Sequence, residues 1–140
     1  MFIITPILPL YLQLRVWNGK EEVERLQERY GKSNLKRPEG KLIWIHASSV
    51  GESLSILPLI DLLIKHDNKA HVLLTTGTIS SATLMKERLP NKAFHQYAPI
   101  DHFKYVRNFL NFWNPDVGIW TESEFWPNLI IEAKKHGVPI

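Results

Sequence analysis

The sequence has 140 residues, no cysteine and a formal net charge of +3, so it is long enough to bury one hydrophobic core without disulfides. The absence of cysteine excludes disulfides, zinc–thiolate sites and thiol nucleophiles within these residues. Residues 1–41 carry eight Lys or Arg against five Glu, whereas residues 42–140 carry nine of each sign, which disfavours nucleic acid as a partner.

Residues 1–18 form an apolar segment in which no charged side chain precedes Arg15. As a helix, its first 17 residues would extend about 25 Å, which falls short of the hydrocarbon thickness of about 30 Å. We therefore predict an interfacial membrane anchor, with Tyr11 and Trp17 at headgroup depth and Arg15 and Lys20 beside anionic lipid. Basic residues after the apolar run would place the remaining chain on the cytoplasmic side. The alternative is a helix docked on the protein's own core.

Residues 19–41 predict a short amphipathic helix followed by a basic linker. Val23, Leu26 and Tyr30 recur at helical spacing, and Gly31 ends the pattern. The linker is rich in basic residues and contains proline and glycine, which is typical of a solvated connector. In the alternative interpretation, four basic side chains face phosphates at a membrane surface: Arg29, Lys32, Lys36 and Arg37.

From residue 42 onward, short apolar runs alternate with helix-length segments. The predicted strands are Leu42–Ala47, His71–Thr75, Ala93–Tyr97 and Val117–Trp120, of which the third is the weakest. The predicted helices are Ser53–Lys65, Ser80–Leu89, His102–Trp113 and Asn128–His136. This alternation indicates an α/β fold with a doubly wound, Rossmann-like parallel sheet over residues 42–140. Val138–Ile140 reads as the start of another strand, so we expect an incomplete domain, either cut from a longer protein or terminated early.

The segment after Glu52 is apolar on nearly every side. This pattern predicts a helix enclosed in the core, with a lipid-facing helix as the alternative. Pro58 lies inside the segment and predicts either a kink or a late helix start.

Ligands bind such sheets beyond the carboxyl ends of the strands, where three polar clusters fall. The clusters are Ser48–Glu52, Thr75–Thr78 and Thr121–Glu124. They place hydroxyl groups around carboxylates and contain no basic residue, which suits hydroxyl-rich ligands such as sugars better than free phosphates. The simpler interpretation is helix capping, in particular by Thr78, Ser80 and Asn128, and Glu52 would then only favour the positive end of a helix.

Neither a cofactor nor a metal site is predicted. No Gly-x-Gly-x-x-Gly follows the first strand and no Gly-x-x-x-x-Gly-Lys-Ser/Thr occurs, so dinucleotide and P-loop binding lack their usual backbone cradles. The six histidines also lack the spacing of metal ligands on one helix.

Five motifs, in order, resemble those of the lipid A Kdo transferases, which are 3-deoxy-D-manno-octulosonic acid transferases with the GT-B glycosyltransferase fold. The motifs are His46–Glu52, Leu57–Leu59, Thr75–Thr78, Tyr97–Asp101 and Glu122–Asn128, and Glu28–Gly31 resembles the family's lead-in to the first strand. The resemblance covers essentially the whole chain but only the N-terminal half of a family member. It implies the acceptor-binding domain of a GT-B enzyme, without the donor-binding domain.

The resemblance implies transfer of Kdo from CMP-Kdo to a lipid A precursor, lipid IVA, in lipopolysaccharide core biosynthesis at the cytoplasmic face of the inner membrane, without a metal. By motif matching, Glu52 is the general base and Glu122 stabilises the transition state, with Glu124 the weaker claimant to that second role. The candidate acceptor contacts are Ser49, Gly51, Thr76, Thr78, Glu124 and Asn128. Inverting glycosyl transfer needs a base for the attacking hydroxyl, and a carboxylate favours the positive charge that gathers at the anomeric carbon.

The chain departs from the family's pattern at Ser80 and Ser81, where a threonine, often followed by glycine, is expected, which puts an acceptor contact by Thr78 in question. Because the donor domain is missing, we predict that the 140-residue chain does not transfer Kdo on its own. The main rival is a non-catalytic membrane-surface binding module or a degenerate remnant. A third interpretation is a different GT-B enzyme that acts on a soluble acceptor.

Overall fold

The computed structural model describes residues 8–121 and 127–140. The strands are β1 (Leu42–His46), β2 (His71–Thr76), β3 (Ala93–Tyr97) and β4 (Val117–Trp120). The α-helices are α1 (Leu8–Trp17), α2 (Val50–His66), α3 (Ile79–Arg88), α4 (Phe103–Trp113) and α5 (Pro127–Lys135), and a 3-10 helix covers Val23–Tyr30. The strands and helices predicted after residue 42 are all confirmed, with boundaries that differ by three residues or fewer.

The four strands form one sheet in the order β3-β2-β1-β4, and each neighbouring pair is parallel. Leu42 pairs with His71 at the start of β1, and at its end His46 pairs with Thr75 on one side and with Trp120 on the other. The α/β class and the parallel sheet are therefore confirmed. This strand order, with β1 between β2 and β4, is that of a Rossmann-like doubly wound sheet.

The sheet separates two hydrophobic clusters because successive side chains of a strand point to opposite faces. Trp44 packs with side chains of α4 and α5, whereas Ile45 packs with side chains of α2 and α3. Fully buried members of the first cluster include Leu42, Trp44, Leu73, Phe109 and Trp113, and those of the second include Ile45, Ile60, Val72, Leu74 and Met85. Each of these side chains contributes about 1.5–3 kcal/mol by leaving water.

The helix α2 begins at Val50, well before Pro58, so a late start at the proline is wrong. Pro58 has no N–H to donate to the carbonyl of Leu54, and both residues lie on the exposed side of the helix. Ile60 is fully buried, whereas Leu62 is 65% exposed. The expectation of a helix enclosed on all sides is therefore also wrong, because α2 covers one face of the sheet and its outer side remains exposed.

The helix α1 is docked on the protein and still presents an apolar surface. Leu12 is fully buried, and four other large side chains of the helix are exposed: Leu10, Tyr11, Leu14 and Trp17. Its ten residues correspond to about 15 Å. Within residues 8–121 and 127–140, no helix combines the length and the apolar character needed to cross a bilayer.

The 3-10 helix buries charged side chains instead of the full apolar stripe predicted for it. Val23 is exposed, whereas Glu21 just before the helix, together with Glu28 and Arg29 within it, is buried. Glu21 Oε1 lies 2.7 Å from Arg15 Nε and 3.4 Å from Arg29 Nε. The prediction fails at Val23 because oppositely charged partners offset the cost of burying these charged side chains. The periodicity of apolar residues in the sequence does not reveal such partners. This ion triad also ties α1 to the body of the protein.

Arg25 and Glu28 cover the open edge of β3. Arg25 Nε donates to Glu28 Oε2 at 2.8 Å, and Arg25 Nη2 donates to Glu28 Oε1 at 2.7 Å. Glu28 Oε1 also accepts a hydrogen bond from Tyr97 N at 2.8 Å, and Arg25 Nη2 donates to the carbonyl of His95 at 3.3 Å. These bonds occupy main-chain groups that an added strand would need, which protects the edge against pairing with another chain.

Gly31 ends the 3-10 helix, as predicted, in a left-handed conformation with φ of 80°. A Cβ atom at Gly31 would lie 2.1 Å from the carbonyl oxygen of Tyr105 and 2.7 Å from the nitrogen of Phe109. Both the backbone angle and the close approach to α4 therefore require glycine.

Two of the four basic side chains that could face phosphates, Arg29 and Arg37, bind the protein itself. Arg37 Nε donates to the carbonyl of Trp113 at 2.7 Å, and Arg37 Nη2 donates to that of Asn114 at 3.1 Å, at the C-terminal end of α4. Arg29 is buried and donates to the carbonyl of Ala98, just after β3. The alternative in which Arg29 and Arg37 face phosphates is therefore wrong, because Arg29 is buried and Arg37 donates to main-chain carbonyls.

The strand-like segment 138–140 lies beside β4. Gly118 N of β4 donates to the carbonyl of Pro139 at 2.7 Å, and Val138 is buried against α5. This main-chain contact agrees with the strand-like character predicted for the segment.

Candidate functional site

The candidate site lies at the carboxyl ends of β1 and β4. From β1 the chain continues into α2 on one face of the sheet, and from β4 it continues towards α5 on the other face. Connections that leave a parallel sheet in opposite directions open a crevice at that point. Two of the three polar clusters predicted from the sequence, Ser48–Glu52 and Thr121–Glu124, follow these two strands.

Glu52 is held at the first turn of α2 through both its main chain and its side chain. Its N–H donates to Ser49 Oγ at 3.3 Å, which makes Ser49 the N-cap of the helix. Its Oε2 accepts hydrogen bonds from Ser48 N at 3.1 Å and from Ser48 Oγ at 3.2 Å. The carboxylate thus serves the helix start, as the simpler interpretation expects, in a variant of the capping box. The same bonds fix its orientation at the crevice.

The turn that carries Glu52 is accessible. Glu52 is half-buried and Gly51 is exposed. A Cβ atom at Gly51 would meet no atom of the described residues within 4 Å. A ligand can therefore approach the main chain at Gly51 closely.

His46 lies beneath this turn, at the end of β1, and it is fully buried. Its Nδ1 is 2.9 Å from Thr75 Oγ1, which also accepts a hydrogen bond from Trp44 Nε1 at 2.9 Å. Its ring packs on Trp120 with a centroid separation of 4.3 Å, and its carbonyl accepts a bond from Thr121 Oγ1 at 2.8 Å. His46 has no predicted role of its own, although it opens the motif His46–Glu52.

The threonine cluster after β2 is divided between interior and surface. Thr76 is fully buried, and its Oγ1 lies 2.6 Å from His95 Nε2 and 2.7 Å from Ser81 Oγ. Arg25 Nη2 lies 2.9 Å from His95 Nδ1, and because a guanidinium can only donate, His95 Nε2 carries the proton donated to Thr76. Thr78 is exposed and caps α3, accepting a bond from Ser81 N at 3.2 Å, as predicted. Thr76, a candidate acceptor contact, thus has its hydroxyl committed to the interior.

His46 and His95 are both buried, and both are neutral at physiological pH. Burial lowers the pKa of His46 to about 3, and the nearby charge of Arg29 acts in the same direction. Burial also lowers the pKa of His95 to about 3, together with the charge of Arg25. Neither imidazole is therefore a source of positive charge at the site.

Asp101, which follows β3, binds the start of α5. Its Oδ1 accepts a hydrogen bond from Leu129 N at 2.8 Å, and its Oδ2 accepts one from Asn128 N at 3.3 Å. Burial raises the pKa of Asp101, and these two N–H donors oppose that rise. Ser80 and Asn128 lie within the first turns of α3 and α5, so the prediction that they cap these helices is wrong. The cap of α5 comes from a residue 28 positions before Leu129 in the sequence, which local patterns do not reveal.

Glu122 and Glu124 lie outside the described residues, so their predicted roles have no structural counterpart here. Thr121, the last described residue before this gap, donates its N–H to the carbonyl of His46 at 3.2 Å, which joins the end of β4 to β1. In the described parts of the chain, no group of three or more His, Asp or Glu side chains converges as metal ligands would.

Comparisons with known proteins agree on one family. The family model described as "3-Deoxy-D-manno-octulosonic-acid transferase (kdotransferase)" matches residues 24–140. The chain is 42% identical over 134 residues to a 3-deoxy-D-manno-octulosonic acid transferase of Rickettsia bellii, which covers 96% of this chain and 32% of that protein. It is 36% identical over 137 residues to a probable mitochondrial 3-deoxy-D-manno-octulosonic acid transferase of Arabidopsis thaliana, covering 98% of this chain and 31% of that protein.

A further relative is the 3-deoxy-D-manno-octulosonic acid transferase of Haemophilus influenzae, with 31% identity over 140 residues, 99% of this chain and 33% of that protein. The chain thus spans about a third of the length of the curated relatives it matches.

Proposed function

Because the chain belongs to the 3-deoxy-D-manno-octulosonic acid transferase family, we propose that it is the acceptor-binding part of an inverting GT-B glycosyltransferase. The reaction is the transfer of Kdo from CMP-Kdo to lipid IVA in lipopolysaccharide biosynthesis. The observation that carries the proposal is the carboxylate of Glu52, which Ser48 orients at the crevice between β1 and β4. The donor-binding domain belongs to the rest of a GT-B enzyme.

In this mechanism Glu52 is the general base. A hydroxyl oxygen of lipid IVA attacks the anomeric carbon of Kdo, its proton passes to Glu52, and the bond from that carbon to the phosphate oxygen of CMP breaks. The configuration at the anomeric carbon inverts because attack and departure occur on opposite faces of the sugar ring. Glu122 stabilises the positive charge that gathers at that carbon. No step requires a metal.

The acceptor contacts we propose are hydroxyl, amide and main-chain groups around Glu52. The described candidates are Ser49, Gly51, Thr78 and Asn128, and Glu124 is the candidate outside the described residues. Ser49, Gly51 and Thr78 belong to the turns after β1 and β2, at the same edge of the sheet. Thr76 supports the turn of Thr78 from the interior and is not among the contacts we propose.

We further propose that α1 holds the protein at the cytoplasmic face of the inner membrane. Its exposed side chains Leu10, Tyr11, Leu14 and Trp17 form an apolar side suited to the headgroup boundary. The Arg15 side chain is about a quarter exposed beside them, within reach of anionic headgroups. The ion triad of Arg15, Glu21 and Arg29 connects this helix to the loop after β3, so the anchor and the carboxyl edge of the sheet move as one unit.

A non-catalytic binding module remains the second candidate because Glu52 also serves the start of α2. In that case its carboxylate would be retained for capping alone. The two candidates differ in the expected effect of Glu52→Gln on transfer, which only a catalytic base would make large.

Vesicle flotation tests the acceptor-binding and anchoring parts of the proposal without a donor domain. We expect the chain to float with vesicles of anionic phospholipid, and to bind more tightly when the vesicles contain lipid IVA. Trp17→Glu should reduce the bound fraction about tenfold, because it places a charge in the headgroup boundary. Leu62→Glu is the matched control, since Leu62 is 65% exposed and Trp17 is 73% exposed.

Two results would contradict this part of the proposal. The first is release of the chain by Leu62→Glu but not by Trp17→Glu, which would assign membrane contact to α2. The second is equal binding with and without lipid IVA, which would leave the chain without the expected acceptor.

A further inference from the structure

We propose that Asp101 is a positioning residue for acceptor binding, and that it acts by fixing Asn128 and the first turn of α5. The inference rests on the proposed function, which makes Asn128 an acceptor contact. Three hydrogen bonds carry it: Leu129 N to Asp101 Oδ1 at 2.8 Å, Asn128 N to Asp101 Oδ2 at 3.3 Å, and Asn128 Nδ2 to the carbonyl of Asp101 at 2.9 Å.

The first two bonds make Asp101 the cap of a helix that belongs to another part of the chain. The first N–H groups of a helix have no partner within the helix and carry partial positive charge. Each carboxylate oxygen of Asp101 takes one of these N–H groups at the start of α5. An aspartate serves both groups at once, whereas a hydroxyl or amide side chain would offer one oxygen in this place.

The third bond sets the orientation of the Asn128 side chain. The carbonyl of Asp101 can only accept, so the nitrogen end of the Asn128 amide faces it. The amide oxygen Oδ1 therefore lies on the other side of the group. A side-chain oxygen held in one orientation binds a sugar hydroxyl with less loss of conformational entropy than a mobile one.

Asp101 lies in the loop after β3, and hydrogen bonds hold this loop to the 3-10 helix. Ile100 N donates to the carbonyl of Arg29 at 2.8 Å, and the Arg29 guanidinium donates to the carbonyl of Ala98. His102 N, on the other side of Asp101, donates to the carbonyl of Ile100 at 2.7 Å. The carboxylate thus has a rigid base, which a residue that positions a binding group needs.

Asp116 makes a comparable hydrogen bond between its carboxylate and a main-chain N–H at the amino-terminal ends of the strands. Its Oδ2 accepts a hydrogen bond from Leu42 N at 2.8 Å, at the opposite edge of the sheet from Asn128. It therefore offers a matched control, in which a main-chain N–H loses a carboxylate partner far from the candidate site.

The test measures the dissociation constant of lipid IVA in detergent micelles by calorimetry, with the complete 140-residue chain. We expect Asn128→Ala and Asp101→Ala each to weaken binding about tenfold, and the double variant to bind no more weakly than either alone. Asp101→Asn keeps one acceptor oxygen and should recover part of the affinity. Asp116→Asn should bind lipid IVA as the unchanged chain does, and circular dichroism would verify that every variant is folded.

If Asp101 only capped α5, the losses of affinity in Asp101→Ala and Asn128→Ala would not depend on each other. Unchanged affinity in Asp101→Ala, or losses that add fully in the double variant, would overturn the inference while leaving the proposed function intact. Full affinity in Asn128→Ala would also overturn it, by removing Asn128 from the acceptor contacts. Failure of the unchanged chain to bind lipid IVA would count against the proposed function itself.

Discussion

Replacing Glu52 with glutamine should lower the rate of Kdo transfer by at least about a hundredfold, in an assay supplied with a donor-binding domain. Glutamine cannot take the proton of the attacking hydroxyl, so the base is lost. It keeps a side-chain oxygen for the hydrogen bonds from Ser48 N and Ser48 Oγ, so the start of α2 should survive. We therefore expect the free energy of unfolding to change by no more than about 1 kcal/mol.

Glu87→Gln is the matched control for this substitution. Glu87 is exposed near the end of α3, at the opposite edge of the sheet from Glu52. Its replacement should leave transfer unchanged. If Glu52→Gln transferred Kdo at the original rate, Glu52 would be a helix-capping residue only, and the binding-module interpretation would gain.

Acidification should unfold the protein well before its carboxylates are fully protonated, because His46 and His95 are buried in the neutral form. Their pKa values in the folded state are about 3, against about 6.5 for an unfolded chain. The unfolded state therefore binds more protons between these values, and stability is full above pH of about 6.5 and falls as the pH drops towards 3. Two such protons correspond to a slope of about 2.7 kcal/mol per pH unit.

Urea unfolding at a series of pH values measures this slope. His95→Gln should reduce this slope by about 1.4 kcal/mol per pH unit, since glutamine does not titrate. It should also lower stability at neutral pH, because the hydrogen bonds to Thr76 and Arg25 change. The control His66→Gln, at an exposed residue of α2, should keep the slope. A stability that stays constant between pH 7 and pH of about 4.5 would contradict buried neutral histidines.

The strands and helices of residues 42–140 could be predicted because their signals are local. Apolar runs such as Leu42–Ala47 alternate with helix-length segments. The periodicity of apolar side chains within a segment indicates its type of secondary structure. Parallel pairing follows from the same alternation, since each connection is long enough to hold a crossover helix. The placement of the Glu52 turn at a crevice then follows from topology.

What could not be predicted depends on contacts between distant residues. The cap of α5 is Asp101, 27 residues before Asn128, so a local capping rule assigned that role to the wrong side chain. Thr76 is paired with His95, 19 residues away, which removes its hydroxyl from the surface. Val23 failed for the same reason, because buried charges with partners elsewhere replaced it on the inner side.

The candidate site was therefore predicted in outline and corrected in detail. Ser49, Gly51 and Glu52 lie together in one accessible turn, and Thr78 lies exposed at the same edge of the sheet. Buried contacts of His46 and of the loop after β3 hold the neighbouring segments in place. The sequence does not reveal these contacts, because their partners are distant along the chain.

We propose that this chain supplies the acceptor side and the base of Kdo transfer, while a separate domain holds the donor. The most direct test joins residues 1–140 to the donor-binding part of a relative and follows Kdo transfer from CMP-Kdo to lipid IVA by mass spectrometry. We expect transfer by the joined protein and none by the 140-residue chain alone. Transfer by the chain alone, or no transfer by a folded joined protein that binds both substrates, would contradict it.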